Sequence, residues 1–175
     1  MTITRSILAM IAVIALSNYL VQYPINDWLT LGAFPYPLSF LITELTNRYH
    51  GAEKARGVVY VGFMFGVFVS LFLTVPRIAI ASGSAFLIAQ LLDIFIFNRW
   101  RQGGWWQAPL VASLSASFVD TVVFWLIAFG GSDAPWLTWT IGDYGVKVFM
   151  DLVLLYPFRL LINRYSVIAI IAPQE

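Results

Sequence analysis

The segment Ala85–Phe97 reads AFLIAQLLDIFIF, and its composition decides the class of fold. Every side chain in it is apolar except Gln90 and Asp93. An ionised carboxylate in such a segment loses its hydration, which is costly unless a partner replaces the water. We therefore expect hydrogen bonds from a ligand or from a partner helix to offset the cost of burying Asp93.

The whole chain shares the apolar character of this segment. Its 175 residues are 60% hydrophobic and 11% charged, and the mean hydropathy is +0.81. A soluble domain usually has about 25% charged residues, so this chain has too few charges to cover a surface in water. The composition predicts a protein of the lipid bilayer. The net charge of +1 gives no indication of a nucleic-acid partner, and the absence of cysteine excludes disulfides and cysteine metal sites.

Six apolar stretches are long enough to cross a bilayer, which takes about 20 helical residues. The sequence therefore predicts an all-α integral membrane protein with six transmembrane helices in a single domain, residues 1–175. Two prolines, Pro35 and Pro37, predict a break or kink at the outer end of the second helix. The six spans are expected near residues 5–23, 28–46, 57–75, 78–98, 106–130 and 137–160.

Basic residues indicate the orientation of these spans. Loops rich in lysine and arginine stay on the cytoplasmic side. In a six-helix topology only Arg77 falls at an end on the other side, and Lys147 lies within a span. We therefore expect both termini inside (N-in, C-in). The residues on the expected cytoplasmic side are Arg5, Arg48, Lys54, Arg56, Arg99, Arg101, Arg159 and Arg164.

A pattern of small residues leading to a carboxylate occurs twice. Residues four apart share one helical stripe, and small residues on a stripe allow helices to approach closely. The fourth and fifth spans cross the bilayer in opposite directions, so the pattern suggests an inverted relation between helices 4 and 5, as in many transporters. The alternative is that apolar helices with small residues often look alike. The two stripes are Ala85, Ala89, Asp93, Phe97 and Ala112, Ala116, Asp120, Phe124.

The sixth span contains Asp143, Lys147 and Asp151, which share a face because they are spaced by four. Two carboxylates beside an ammonium can neutralise it away from water. Two interpretations stay open. The three residues either form a functional site, as intramembrane lysines commonly do, or form an ion-pair ladder that only permits insertion.

Other polar residues lie in or near the apolar spans. Glu44 and Asn47 lie near the inner end of the second span, where Glu44 either belongs to a site or sits in interfacial water. Gln90 lies one turn before Asp93 and can share its face. Gly62 and Gly66 in the third span form a packing motif for helix contact, including contact between the subunits of a homodimer.

The sequence lacks the usual signatures of catalysis. It contains a single histidine and no cysteine, no metal-ligand spacing and no glycine-rich phosphate loop. These observations argue against an enzyme, and we expect no cofactor and no metal.

Four motifs carry a resemblance to a known family: ELTNRYHGAEKAR, RIAIASGSAFLIAQLLDIFIFNRWRQ, WWQAPLVASLSASFVDTVVFWLIAF and DYGVKV. In order and spacing they resemble the queuosine precursor transporters, within the vitamin uptake transporter group. The resemblance covers most of the chain from Glu44 to Phe158. It implies import of a 7-deazaguanine, either 7-cyano-7-deazaguanine or 7-aminomethyl-7-deazaguanine, across a bacterial inner membrane.

The resemblance also implies the site residues. The family has an amide three residues before the aspartate of the fifth span, where this chain has Ser117, so a side-chain hydrogen bond from that position is in doubt. The expected substrate-binding residues are Glu44, Asn47, Gln90, Asp93, Ser117, Asp120, Asp143 and Lys147.

The polar residues suit such a ligand. A deazaguanine offers N–H donors that a carboxylate such as Asp93 or Asp120 accepts, and a carbonyl that Gln90 or Lys147 reaches. Its flat ring requires an aromatic or apolar slot. Two alternatives stay open, a substrate-capture subunit of an energy-coupling factor transporter and a small membrane enzyme or scaffold. Energy-coupling subunits usually carry an Ala-x-x-x-Ala contact in the first helix, whereas Ala9, Ala12 and Ala15 are spaced by three.

Overall fold

The computed structural model describes residues 2–20, 23–26, 29–73 and 75–171, except for the side chains of residues 24, 30 and 164–171. Parts of three expected spans, at residues 21–22, 28 and 74, and the side chain of Arg164 therefore lie outside the described part. The helices found in it are α1 (Ile3–Leu20), α2 (Leu38–Leu73), α3 (Pro76–Trp100), α4 (Gln107–Phe129) and α5 (Trp136–Ile171).

Most of these helices have the length and apolarity of membrane spans. By length and composition, four stretches of the described chain qualify as membrane spans. They are α1, α3, α4 and the stretch Leu31–Leu73, which contains α2. The described part thus belongs to an all-α membrane protein. The fifth helix, α5, is not among the four, and it carries Asp143, Lys147 and Asp151 in its first half.

A non-helical segment stands where the start of the second span was expected. A hairpin of β1 (Pro24–Asn26) and β2 (Leu29–Thr30) leads into a 3₁₀ turn at Leu31–Ala33. The stretch from β1 to Pro37 is called the hairpin segment. Proline has no N–H and a fixed φ, and α2 begins only at Leu38, directly after Pro37. The prolines noted in the sequence thus mark the point at which the helix starts.

The second helix is divided by Gly51. Its backbone there is non-helical, with φ 82° and ψ 171°, a conformation that is essentially confined to glycine. The residues before the break form a short arm that is buried from Ser39 to Asn47. The residues after it form a longer arm that packs against α1 through Val58, Val59 and Gly62.

The third helix occupies the centre of the bundle, between α2 and α4, and its contact with α4 is the most extensive in the fold. Ala89 of one small-residue stripe and Ala116 of the other are fully buried and pack in one cluster with Phe40. This is the close helix contact that the stripes predict. The inverted relation between helices 4 and 5 stays a prediction.

Arginines connect neighbouring helices at both ends of the bundle. One end is called the basic end because most of the basic residues lie there. At this end Arg101 donates to the carbonyl oxygens of Asn47 (3.1 Å) and Arg48 (2.7 Å), which lie just before the break at Gly51. At the opposite end, Arg77 donates to the carbonyl oxygens of Ile127 and Gly130, each at 2.8 Å. The free carbonyls at helix ends are thereby satisfied.

Candidate functional site

A cavity of about 680 Å³ lies in the half of the bundle opposite the basic end. Its walls come from the end of α1, the hairpin segment, the second arm of α2, the start of α3, the end of α4 and the start of α5. Ile25 and Asn26 at its rim are exposed, so the cavity reaches the surface at this end. Its volume falls within the range of about 300–1,000 Å³ that is typical of small-molecule sites.

Glycines let three helices meet beside the cavity. A methyl group at Gly62 would lie 2.7 Å from Cγ of Met10, and one at Gly83 would lie 3.3 Å from Phe63 and Val67. The glycine motif of the third expected span therefore packs against α1 within the same chain. Contact between subunits stays a prediction.

A buried lysine forms the floor of the cavity. The Lys147 ammonium lies 2.7 Å from Asp120 Oδ2 on α4 and 2.7 Å from Asp143 Oδ2 on α5. It also donates to the Thr121 hydroxyl at 2.9 Å. The i, i+4 spacing places Asp143 and Lys147 on one face of α5, and the close packing of α4 brings Asp120 to the same point. The sequence pattern placed Asp143 and Asp151 beside Lys147. In the structure the two carboxylates that hold Lys147 are Asp143 and Asp120, and Asp151 accepts a hydrogen bond from Ser117 at 2.8 Å.

Tyr36, from the segment before α2, completes the floor. Its hydroxyl donates to Asp120 Oδ1 at 2.8 Å, and the Lys147 ammonium lies 5.4 Å from the centre of its ring. Both carboxylate oxygens of Asp120 are thereby engaged, and each still has capacity to accept. Asp143 lines the cavity, and among the described residues its Oδ1 has no hydrogen-bond donor.

Aromatic side chains form the walls above this floor. Trp125 packs against Phe124, Phe129 and Trp139, with ring centres 5.3 Å apart in each pair. The Trp125 indole N–H is buried and has no acceptor among the described residues. A buried donor without a partner is costly. Because this nitrogen is shielded from the cavity, Trp125 contributes its ring rather than its N–H to the cavity wall.

The structure separates the eight expected site residues into two groups. Asp120, Asp143 and Lys147 line the cavity. The other five lie outside its lining, toward the basic end, and their direct contact with a substrate stays a prediction. These five are Glu44, Asn47, Gln90, Asp93 and Ser117.

Polar contacts outside the cavity tie the helices together. Gln90 on α3 accepts from the Thr43 hydroxyl (2.6 Å) and donates to the Ser39 hydroxyl (2.8 Å), both on α2. Asn47 donates to the carbonyl oxygen of Ile94 at 3.4 Å. Ser117 does form a side-chain hydrogen bond, although its acceptor is the Asp151 carboxylate.

Three buried acids outside the cavity form a second group, called the carboxyl cluster: Glu44, Asp93 and Asp151. They lie on three different helices and interact electrostatically with one another. Glu44 is only 4% exposed, so it belongs to the interior rather than to interfacial water. We expected hydrogen bonds to Asp93 from a ligand or from a partner helix. Both of its oxygens lack a donor within the described part of the chain, so the partner-helix alternative is wrong there, and the ligand alternative stays a prediction.

Sequence reasoning missed Tyr36, Thr121 and Trp125. Two of them had a signal, because Thr121 follows Asp120 directly and Trp125 lies one helical turn after Thr121, on the same face. Tyr36 had no such signal, since its partner Asp120 is 84 positions away.

Comparisons with known proteins show the family of the chain. The profile of the family described as "Putative vitamin uptake transporter" matches residues 30–75 and 66–162. The chain belongs to this family. It is 36% identical to the queuosine precursor transporter of Escherichia coli, over 86% of this chain and 82% of that protein. It is 35% identical to the probable queuosine precursor transporter of Haemophilus influenzae, over 84% and 80% of the two chains.

A more distant relative, the probable queuosine precursor transporter of Bacillus subtilis, is 27% identical over 71% of this chain and 67% of that protein. No solved structure gives a significant match. Because the family and these relatives are all described as transporters, the chain is a multi-pass membrane transporter rather than an enzyme.

Proposed function

We propose that the chain imports queuosine precursors, 7-cyano-7-deazaguanine or 7-aminomethyl-7-deazaguanine, across a bacterial inner membrane. The observation that carries this proposal is the cavity floor, where Asp120, Asp143 and Lys147 meet between aromatic walls. The names of the relatives, at 36% and 35% identity, support the same substrate class.

The chemistry of the cavity fits a deazaguanine. The ligand presents N–H donors along one edge, and Asp120 and Asp143 supply carboxylate oxygens to accept them. Its carbonyl oxygen accepts a hydrogen bond from the Lys147 ammonium by replacing the Thr121 hydroxyl, the one neutral oxygen among the three that hold Lys147. The flat ring stacks among aromatic side chains, whose faces and edges favour offset or edge-on contacts.

The direction of transport follows from the expected orientation. With six spans and both termini inside, the basic end faces the cytoplasm and the cavity opens to the outside. The two arms of α2 then count as two spans, and α5 crosses the bilayer with its charged residues turned into the bundle. A cavity open to the outside is the state in which an importer takes up its substrate.

The hairpin segment before α2 fits this arrangement. Irregular backbone within a bilayer is tolerated where it is buried in protein or lines a cavity, and interrupted helices surround the substrate sites of many transporters. Ile25, Gly32 and Tyr36 of this segment line the cavity. The segment thus supplies part of the substrate site.

Uptake by living cells tests the proposal. We would express the chain alone in bacteria that neither make nor import queuosine precursors, supply 7-cyano-7-deazaguanine, and measure queuosine in their tRNA. We expect queuosine to appear with the wild-type chain and with Asp133→Asn, which alters an exposed loop carboxylate, but not with Asp120→Asn.

Two results would contradict this proposal. If queuosine appears only when an ATPase module is co-expressed, the chain is a substrate-capture subunit of an energy-coupling transporter. If a well-expressed wild-type chain never supports uptake of either precursor, the substrate class is wrong.

A further inference from the structure

The carboxyl cluster lies outside the substrate cavity and has no assigned role. Glu44 comes from the first arm of α2, Asp93 from the middle of α3 and Asp151 from α5. Their side chains are 4%, 0% and 3% exposed, respectively. They are therefore among the most deeply buried ionisable groups in the described chain.

The carboxyl oxygens of this cluster are largely unsatisfied. Glu44 Oε1, both oxygens of Asp93 and Asp151 Oδ1 have no hydrogen-bond partner among the described residues, and neither does the amide oxygen of Asn47, three residues after Glu44. Lys147, one turn before Asp151, is already paired with Asp120 and Asp143. Ionised carboxylates cannot persist in such a setting without a cation, because burial removes their hydration and like charges repel.

The geometry favours a proton as that cation. Glu44 and Asp151 line a small enclosed space of about 10 Å³ between α2, α4 and α5, which holds at most about one water molecule. Within the described part of the chain, no three acidic or histidine side chains are grouped closely enough to hold a metal ion. Each carboxyl group is thus placed to take its own proton rather than to share a metal ion.

The cluster is connected to the substrate cavity through α4 and α5. Ser117 donates to Asp151 at 2.8 Å and lies three residues before Asp120 on α4. Asp151 lies four residues after Lys147 on α5. A movement of either helix that accompanies substrate binding at Asp120 or Lys147 therefore shifts the surroundings of the cluster.

We propose that Glu44 and Asp93, linked to the cavity by Asp151, form a proton-binding site through which the proton gradient drives substrate uptake. The site takes up protons when the cavity faces outward and releases them to the cytoplasm after the bundle reopens. Each step converts one carboxylate to one carboxylic acid, or the reverse. This inference rests on the proposed function, since it names the driving force of that transport.

The charged and polar groups around the site come from four helices. They are Glu44 and Asn47 on α2, Asp93 and Gln90 on α3, Asp120 on α4, and Lys147 and Asp151 on α5. Because Lys147 is neutralised by two carboxylates at 2.7 Å, it cannot also neutralise all three acids of the cluster. Protonation is the remaining way to remove their charge.

Transport by the purified full chain in liposomes tests the inference. Two assays with labelled 7-cyano-7-deazaguanine separate binding from coupling: exchange against internal substrate at equal pH, and accumulation driven by an acidic exterior. For the wild-type chain we expect both activities. A gradient of about one pH unit supports about tenfold accumulation for each proton carried.

Glu44→Gln and Asp93→Asn imitate the protonated state. Neither residue lines the cavity, so in this proposal the proton site replaces the substrate contact predicted for them. We therefore expect each variant to retain exchange but to lose most of the gradient-driven accumulation; loss of exchange would favour substrate contact instead. The matched controls are Glu53→Gln and Asp133→Asn, which alter exposed carboxylates and should behave as the wild type. Gel filtration verifies that every variant is folded.

Several outcomes would overturn the inference. Exchange without any response to the pH gradient in the wild type excludes proton coupling. Undiminished gradient-driven accumulation in the Glu44→Gln, Asp93→Asn double variant excludes these two residues as the proton site. A wild type that shows no exchange contradicts the proposed substrate instead.

A measurement without substrate tests the proton site independently of transport. Infrared titration of the purified wild type should show the absorption of buried protonated carboxyl groups, and part of that band should disappear in Asp93→Asn. If the wild type lacks such a band, the proton site is excluded, whatever the two transport assays show.

Discussion

At the scale of single residues, Lys147 is the side chain on which the floor of the cavity depends. Its ammonium is held by three oxygens, those of Asp120, Asp143 and Thr121, all within 2.9 Å. Removing one member of a buried ion pair leaves an uncompensated charge, which typically costs about 3–5 kcal/mol. Removing both members costs less. Comparing the variant that lacks one member of the pair with the variant that lacks both therefore separates a structural role from a role in binding.

We predict that Lys147→Met lowers the yield of folded protein, because Asp120 and Asp143 are then left close together without a cation. Adding Asp143→Asn should partly restore folding, since one carboxylate remains and Tyr36 still donates to it. The double variant should nevertheless fail to transport. Gel filtration and uptake of 7-cyano-7-deazaguanine measure the two effects. Full uptake by the double variant would leave the ion pair with a structural role only.

Trp125 offers a second test at this scale. Trp125→Phe keeps an aromatic ring in the wall but removes the indole N–H. The N–H is buried and has no partner among the described residues, an arrangement that costs about 1–3 kcal/mol. The variant should therefore bind the precursor as tightly as the wild type and melt at a higher temperature. Equilibrium binding to the purified variant measures the effect. A loss of affinity would show that the indole N–H donates to the bound ligand.

The sequence reveals some of these residues and not others, for a physical reason. Asp120, Asp143 and Lys147 stand out because ionisable groups are rare and costly within apolar spans. Tyr36 and Trp125 do not, because aromatic residues are ordinary in membrane helices and near their ends. Only the packing of α4 against α5 and of the hairpin segment across them shows that these rings enclose the same cavity.

At the scale of secondary-structure elements, α2 shows both the strength and the limit of sequence patterns. The apolar pattern indicates two spans near residues 28–46 and 57–75, and the structure has two arms separated at Gly51. The start of the first arm could not be located from apolarity alone, because the apolar residues Leu29, Leu31 and Phe34 precede it in the sequence. Pro35 and Pro37 supplied the correct signal, since proline cannot donate to a helical hydrogen bond.

The break at Gly51 allows a direct test. A side chain at φ 82° is strained, and such conformations cost about 1–3 kcal/mol, so Gly51→Ala should lower the melting temperature. The control is Gly57→Ala on the same helix. A methyl group would meet nothing within 4 Å at either position, but Gly57 is helical, where alanine is favoured by about 1 kcal/mol. Equal melting temperatures would show that the break is not required.

At the scale of the whole molecule, the central expectation is a single transmembrane domain with the basic end in the cytoplasm. The class of protein was predictable because composition alone excludes a surface in water. The number and orientation of the spans stay predictions, since α5 is not among the four stretches of the described chain that qualify as membrane spans.

Labelling of introduced cysteines tests this topology, because the chain has none of its own. We predict that a membrane-impermeant maleimide labels Asp133→Cys but not Gln102→Cys in intact cells, and labels both after lysis. Both positions are exposed, so accessibility within the protein does not bias the comparison. The reverse pattern in intact cells would place the cavity on the cytoplasmic side.

The central claim is that the cavity opposite the basic end is the substrate site. Equilibrium binding of 7-cyano-7-deazaguanine to the purified chain and to Asp120→Asn tests this claim most directly. The variant retains the Lys147–Asp143 pair, so it should remain folded. Losing a charge-assisted hydrogen bond costs about 1.5–3 kcal/mol, so we predict a loss of affinity of about tenfold to a hundredfold. Binding of equal strength by both proteins would contradict the proposed site.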